Sequence, residues 1–151
     1  MEQHDTRATK QDQTIRFTIT GAPVPKARAR VTNRGTFTPK RTRQHEALVK
    51  FTAKHCMRAR EIRTGPLMLY ATFNLPIPKS WSKKKRNQAI NGEIKHTAKP
   101  DLTNLLKTIE DGMNNIVYLD DSQLISISAV KRYDETPGTI VTILPAEVGN
   151  D

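Results

Sequence analysis

The stretch KPDLTNLLKTIEDGMNNIVYLDDSQ, from Lys99 to Gln123, holds five of the chain's fifteen acidic residues between Asp101 and Asp121. Around it the protein is strongly basic, with a net charge of +10. Asp101 stands at one end of an amphipathic run and the pair Asp120–Asp121 at the other. Carboxylates brought to about 4 Å repel by about 4 kcal/mol at an effective dielectric of 20. A fold that gathers them must therefore supply a compensating charge. A divalent cation does so, and Mg²⁺ takes a few carboxylates and keeps several waters. An acidic, metal-binding centre framed by basic surfaces suits phosphodiester hydrolysis. The metal polarises a phosphoryl oxygen and lowers the pKa of a bound water, while a cation steadies the developing charge.

The elements that would position these residues are legible in the same stretch. Leu102, Leu105, Leu106, Ile109 and Met113 fall on one face of a helix from Leu102 to Asn114, about 20 Å long. Asp101 occupies the N-cap position. The return segment 115–121, if extended, spans a similar length. Folded back antiparallel to the helix, it brings Asp120 and Asp121 to the helix start beside Asp101. Thr103, Asn104 and Lys107 then lie within one turn of that point. A plainer reading uses the same residues: Asp101 as a cap, Asp120–Asp121 as a turn, and Lys107 as a solvated i+4 partner of Asp111.

The rest of the chain predicts a small α+β domain with a mixed sheet. Thr14–Thr20 alternates as a half-buried strand. In the segment GAPVPKARARVTNRG, two prolines forbid a helix, and Lys26, Arg28 and Arg30 recur every second residue. An extended chain points three such cations the same way, toward a phosphate backbone. A helix opens at Thr38-Pro39, with Thr38 as cap, and runs to about Arg60. Its apolar stripe is Leu48, Val49, Thr52, Cys56 and Ala59. Gly65-Pro66 breaks the chain before a nine-residue strand, Leu67 to Leu75. Ser80 caps a short helix that carries Lys83, Lys84, Lys85 and Arg86 and closes at Asn91-Gly92, with Trp81 as its packing anchor. His96 reads as a loop residue. Leu124–Tyr133 and Gly138–Leu144 read as two strands joined as a hairpin.

Composition narrows the function class. The 151 residues suit one domain, with 1–13 as a disordered lead-in, 14–145 as the domain and 146–151 as a frayed tail. No long apolar run spans a membrane, and the N-terminus has no apolar signal region. Cys56 is the only cysteine, which excludes an internal disulfide and a cysteine-based zinc site and fits a reducing cytoplasm. Residues 23–63 hold twelve Lys and Arg against two Glu, and 79–99 hold seven against one. From Asp101 onward nine acids face three bases. Basic blocks of this kind suit a polyanion, nucleic acid first.

The central segment KPDLTNLLKTIEDGMNNIVYLDDSQL resembles the motif of the RusA family of Holliday junction resolvases: Asp-x-Asp-Asn-Leu-x-Lys, a helix, then Asp-Asp-x-Gln. Upstream, ITGAPVPKARARVTNRGTFTP resembles the family's N-terminal region, so the likeness covers most of residues 15–143. It implies a small mixed domain acting as a homodimer. It also implies Mg²⁺-dependent cutting of four-way DNA junctions, with Mn²⁺ as a substitute metal, in a bacterial or phage-encoded protein. Asp101, Lys107 and Asp121 match the catalytic first Asp, Lys and last Asp. Asp101, Asp120 and Asp121 are the implied metal ligands, and Thr103 and Asn104 line the site. Thr103 departs from the pattern, replacing the second Asp with a neutral and weaker ligand. Lys26, Arg28, Arg30, Lys83, Lys84, Lys85, Arg86 and Lys99 would track the DNA. Two other readings share these features: a noncatalytic protein that binds branched DNA, and a nuclease acting on flaps or forks.

Overall fold

The computed structural model describes residues 13–27 and 30–146. Arg28, most of the expected lead-in and most of the expected tail lie outside the described residues. So does the side chain of Arg30. The order of elements is β1 (Ile15–Thr20), β2 (Arg30–Thr32), β3 (Gly35–Phe37), α1 (Lys40–Cys56), β4 (Leu67–Leu75), α2 (Lys83–Ile90), α3 (Leu102–Met113), a short 3-10 turn (Asp121–Gln123), β5 (Leu124–Tyr133) and β6 (Gly138–Pro145). This is an α+β fold with a mixed four-stranded sheet and a separate two-stranded ribbon, β2–β3.

The sheet runs β1-β6-β4-β5. β4 pairs with β6 antiparallel and with β5 parallel. The expected hairpin between β5 and β6 is therefore corrected: the two strands are consecutive in the chain but flank β4. The physical reason is burial. β4 presents Leu67, Leu69, Ala71, Phe73 and Leu75 to the core, all nearly inaccessible, and the most apolar strand takes the centre. β5 alternates serine with apolar residues over its first half and takes the edge. Asp134 N–H bonds to Leu75 O at 2.9 Å as the connection crosses the end of β4.

α1 and α3 cover one face of the sheet, and the core joins Ile15, Phe17 and Ile19 of β1 to Val49 and Ala53 of α1 and to Leu105, Ile109 and Met113 of α3. The two helices approach closely at Gly112, where a Cβ would overlap the Val49 side chain. Only glycine fits a contact of that kind. The apolar face expected for α3 is the one found, with Leu105, Ile109 and Met113 buried and Leu102 and Leu106 half-buried against the same core.

α1 differs from expectation in three ways. Pro39 holds the cap position with no side-chain cap bond, so Thr38 is not the cap. The helix ends at Cys56, and Ala59 lies beyond it at a positive φ of 64°. The buried stripe is Thr42, His45, Val49 and Ala53 rather than one through Leu48 and Ala59. Two polar residues on that stripe hid its phase. The cap of α2 is Ser82, which accepts from Lys85 N–H at 3.2 Å, in place of Ser80. The ribbon β2–β3 was not legible, because Val31, Thr32 and Gly35–Phe37 are all exposed and show no alternation.

Candidate active site

Asp101 has the extended backbone of an N-cap residue, but its carboxylate makes no cap bond. The residue is exposed, and its side chain has no hydrogen bond or ion pair among the described residues. The approach to it is held from the sheet. Lys131, on β5, donates from Nζ to Ala98 O at 2.6 Å and to Pro100 O at 2.9 Å. The Lys99–Pro100 peptide within that approach is cis. Thr103 and Asn104 are exposed in the first turn of α3, and Asn104 O accepts from Lys26 N–H at 3.0 Å. The helix start and the β1–β2 connection are thereby tied.

The return segment turns at Asn115, which has a positive φ of 62°. Buried Tyr118 donates to Glu110 O at 2.9 Å, lashing the segment to the last turns of α3. Gln123 then fixes the aspartate pair. Its Oε1 accepts from the N–H groups of Leu119 at 2.8 Å and Asp120 at 3.1 Å. Its Nε2 donates to Arg63 O at 3.1 Å and Gly65 O at 3.0 Å, just ahead of β4. One side-chain amide thus joins the Asp120–Asp121 turn to the central strand. Asp120 is exposed and accepts from the Ser122 hydroxyl, which holds its carboxyl below the usual range.

Between these anchors runs a chain of alternating charges. Lys107 Nζ lies 3.0 Å from Asp111 and 3.8 Å from Asp121. Asp111 also pairs with Lys26 at 3.3 Å, and Lys26 pairs in turn with Glu46 of α1. Burial works to lower the Lys26 pKa, but the bonds and charges of Glu46 and Asp111 leave it raised. Lys107 is also raised, mainly by its bond to Asp111. Glu110 is raised by burial and then by the negative charge of Asp121.

Among the described residues no three His, Cys, Asp or Glu side chains come together as a metal-holding group. The return segment delivers Asp121 to Lys107, in the second turn of α3, while Asp101 stays unpartnered. Repulsion explains the outcome: the fold interleaves lysines between the carboxylates of the middle turns. The donor set still suits a hard cation, because Mg²⁺ needs only one or two carboxylates together with substrate phosphate and water.

The basic residues fall in separate places. Lys83, Lys84 and Lys85 are exposed on α2, and Lys85 Nζ lies 4.1 Å from the Trp81 ring centroid. Arg86 is half-buried and bonds to Pro78 O. Lys99 is exposed beside Asp101, whereas the Lys26 ammonium is engaged by two carboxylates. Sequence reasoning did not single out Glu46, Gln123 or Lys131. Gln123 had a signal, as the last residue of the Asp-Asp-x-Gln pattern. Glu46 and Lys131 had none, since their partners are remote in sequence.

The sequence model described as endodeoxyribonuclease RusA matches residues 20–144. A relative from Bacillus subtilis (strain 168), named uncharacterized protein YqaN, is 36% identical over 138 residues, covering 85% of this chain and 94% of the relative.

Proposed function

The chain belongs to the RusA endodeoxyribonuclease family, and we propose that it is a Mg²⁺-dependent endonuclease that resolves four-way DNA junctions by paired cuts. The observation that carries this reading is the contact between Lys107 and Asp121. These two residues match the family's Lys and last Asp, lie fourteen positions apart in the sequence, and are brought together at the surface of a strongly basic protein. Mn²⁺ has the same preference for oxygen ligands and would substitute.

Asp101 and Asp121 would hold the metal, with Asp120 beside them and Thr103 and Asn104 lining the approach. When bound, the metal would polarise the scissile phosphate and supply a water of lowered pKa. Lys107, charged and half-exposed, is placed to meet a phosphate oxygen and to stabilise the charge that develops there. Asp111 holds the Lys107 ammonium in place. Lys83, Lys84, Lys85, Arg86 and Lys99 would neutralise phosphates of the arms, so binding weakens steeply with salt.

Paired cuts need two symmetric sites, which a homodimer provides. β5 supports that reading. It is an edge strand with Ile125, Ile127 and Val130 at 66%, 43% and 48% exposure. An unpaired apolar edge is a template for another chain.

Thr103 and the dispersed carboxylates favour a second reading, a protein that binds branched DNA without cutting it. One experiment separates them: labelled four-way junction, fork and duplex, each incubated with and without Mg²⁺. Symmetric nicks in the junction only with Mg²⁺ support resolution. Tight junction binding with no cutting with or without Mg²⁺ supports the second reading, and cutting confined to the fork rejects both.

A further inference from the structure

A pocket of about 400 Å³ opens next to the run-in to Asp101. Ala98, Lys99 and Pro100 form one wall, and the same three residues lead directly to Asp101. Pro23 and Pro25 from one segment and Pro76 and Pro78 from another add to the apolar lining, and His96 and Tyr133 line it with rings. Arg41 and Lys99 bring positive charge to the lining. His96 is 9% exposed, and its Nδ1 is buried without a partner among the described residues, an unpaired polar atom in an apolar surround. Burial, and then the charge of Lys131, lower the His96 pKa, so the ring is neutral near pH 7.

The rings of this wall continue outward. His96 lies 4.5 Å from Tyr133, Tyr133 lies 5.1 Å from Trp81, and Lys85 caps Trp81 at 4.1 Å. A ladder of ring contacts thus connects the cationic helix α2 to the pocket. Apolar lining, neutral rings and two cations in one pocket match a single ligand chemistry: an aromatic heterocycle on a phosphodiester strand. Bases stack on aromatic faces, and the flanking phosphate pairs with Arg or Lys.

We propose that this pocket receives one unstacked nucleobase from the branch point of the DNA, with the adjoining phosphates on Arg41 and Lys99. The pocket sets which phosphodiester reaches Asp101. This rests on the junction-cutting reading above and adds to it a specificity site outside the aspartate motif. Bases at a branch point are the cheapest to unstack, since their stacking is already interrupted.

The test uses the full-length protein and synthetic four-way junctions in EDTA, so that no strand is cut. An abasic nucleotide replaces each nucleotide flanking the branch point in turn. Ala98→Trp and Ala22→Trp fill the pocket from two different segments of its lining; both alanines are exposed, and thermal melting checks that each variant is folded. With the unmodified protein, one abasic position weakens junction binding about tenfold, within the range that stacking a base on an aromatic ring supplies. In either filled variant, the intact junction binds more weakly by a similar factor and the abasic position costs nothing more. A preference for junction over duplex that persists with no sensitive abasic position overturns the pocket alone. So does an abasic penalty that is unchanged in both variants. No preference for junction over duplex overturns the junction reading itself and the pocket with it.

Discussion

The two halves of α3 hold aspartates in opposite states. At its start, the Asp101 side chain is exposed and unpartnered among the described residues, and Lys131 braces the approach to it through the backbone. Further along, Asp111 is half-buried and shared by Lys26 and Lys107, and Lys107 reaches on to Asp121. The paired half is neutralised by the protein's own lysines. The free half leaves a negative charge with no partner among the described residues of a chain of net charge +10. On the proposed reading, a cation would bind at the start of α3, and the middle would be the scaffold that holds Lys107.

The largest expected effect comes from removing the charges on the two sides of that divide. Asp101→Asn and Asp121→Asn should each lower junction cleavage by about a hundredfold or more. Binding measured without metal should be unchanged or tighter, because repulsion with phosphates is relieved. Parallel loss of cutting and binding would give both aspartates a structural role and erase the contrast.

Asp111→Asn attacks the paired half alone. It removes one carboxylate partner from each lysine, so turnover should fall about tenfold through misplacement of Lys107. Stability should fall by about 1 kcal/mol, since the partners are partly exposed. That corresponds to a melting temperature lower by about 2–4 °C. Normal turnover with lowered stability would make the network structural only.

Thr103→Asp sharpens the free half. A second carboxylate near Asp101 should lower the melting temperature without metal, and Mg²⁺ should then raise it by more than in the unmodified protein. Apparent Mg²⁺ affinity in cleavage should rise. If neither melting nor cleavage changes its metal dependence, Thr103 does not face the cation.

The smallest effect is a pH dependence. Burial, and then Asp121, raise the Glu110 pKa in the folded state. The folded protein therefore binds this proton more tightly than the unfolded chain. Stability from this group falls as pH rises from the unfolded value of 4.5 through the raised one. Glu110→Gln removes the penalty and should melt higher at neutral pH, by no more than about 4 °C. The gap should close below pH 4.5. A constant gap across pH would trace the difference to something other than the charge of Glu110.

Strong local patterns made part of this molecule legible. The strict alternation from Leu67 to Leu75 and the heptad-like spacing from Leu102 to Met113 each match the structure, because a buried face imposes its period on the sequence. The Lys107–Asp111 pair was legible as an i+4 contact on one helix face. The phase of α1 was not, because its buried face includes Thr42 and His45. Nor was the place of β6 between β1 and β4, since adjacency along the chain favours a hairpin and only relative burial chooses the central strand.

Taken alone, the sequence determined the family, through the spacing of Asp101, Lys107, Asp120, Asp121 and Gln123, and it determined which helix would carry the first two. These are local properties, written in residue type and interval. Tertiary structure decided which charges meet. Lys26, Glu46 and Asp111 come from three separate elements, and Gln123 bonds to backbone near residue 65. Such pairings depend on how α1, α3 and the β1–β2 connection stack over the sheet. Coulomb energy varies with the distance that the stacking sets, and no interval along the chain encodes that distance.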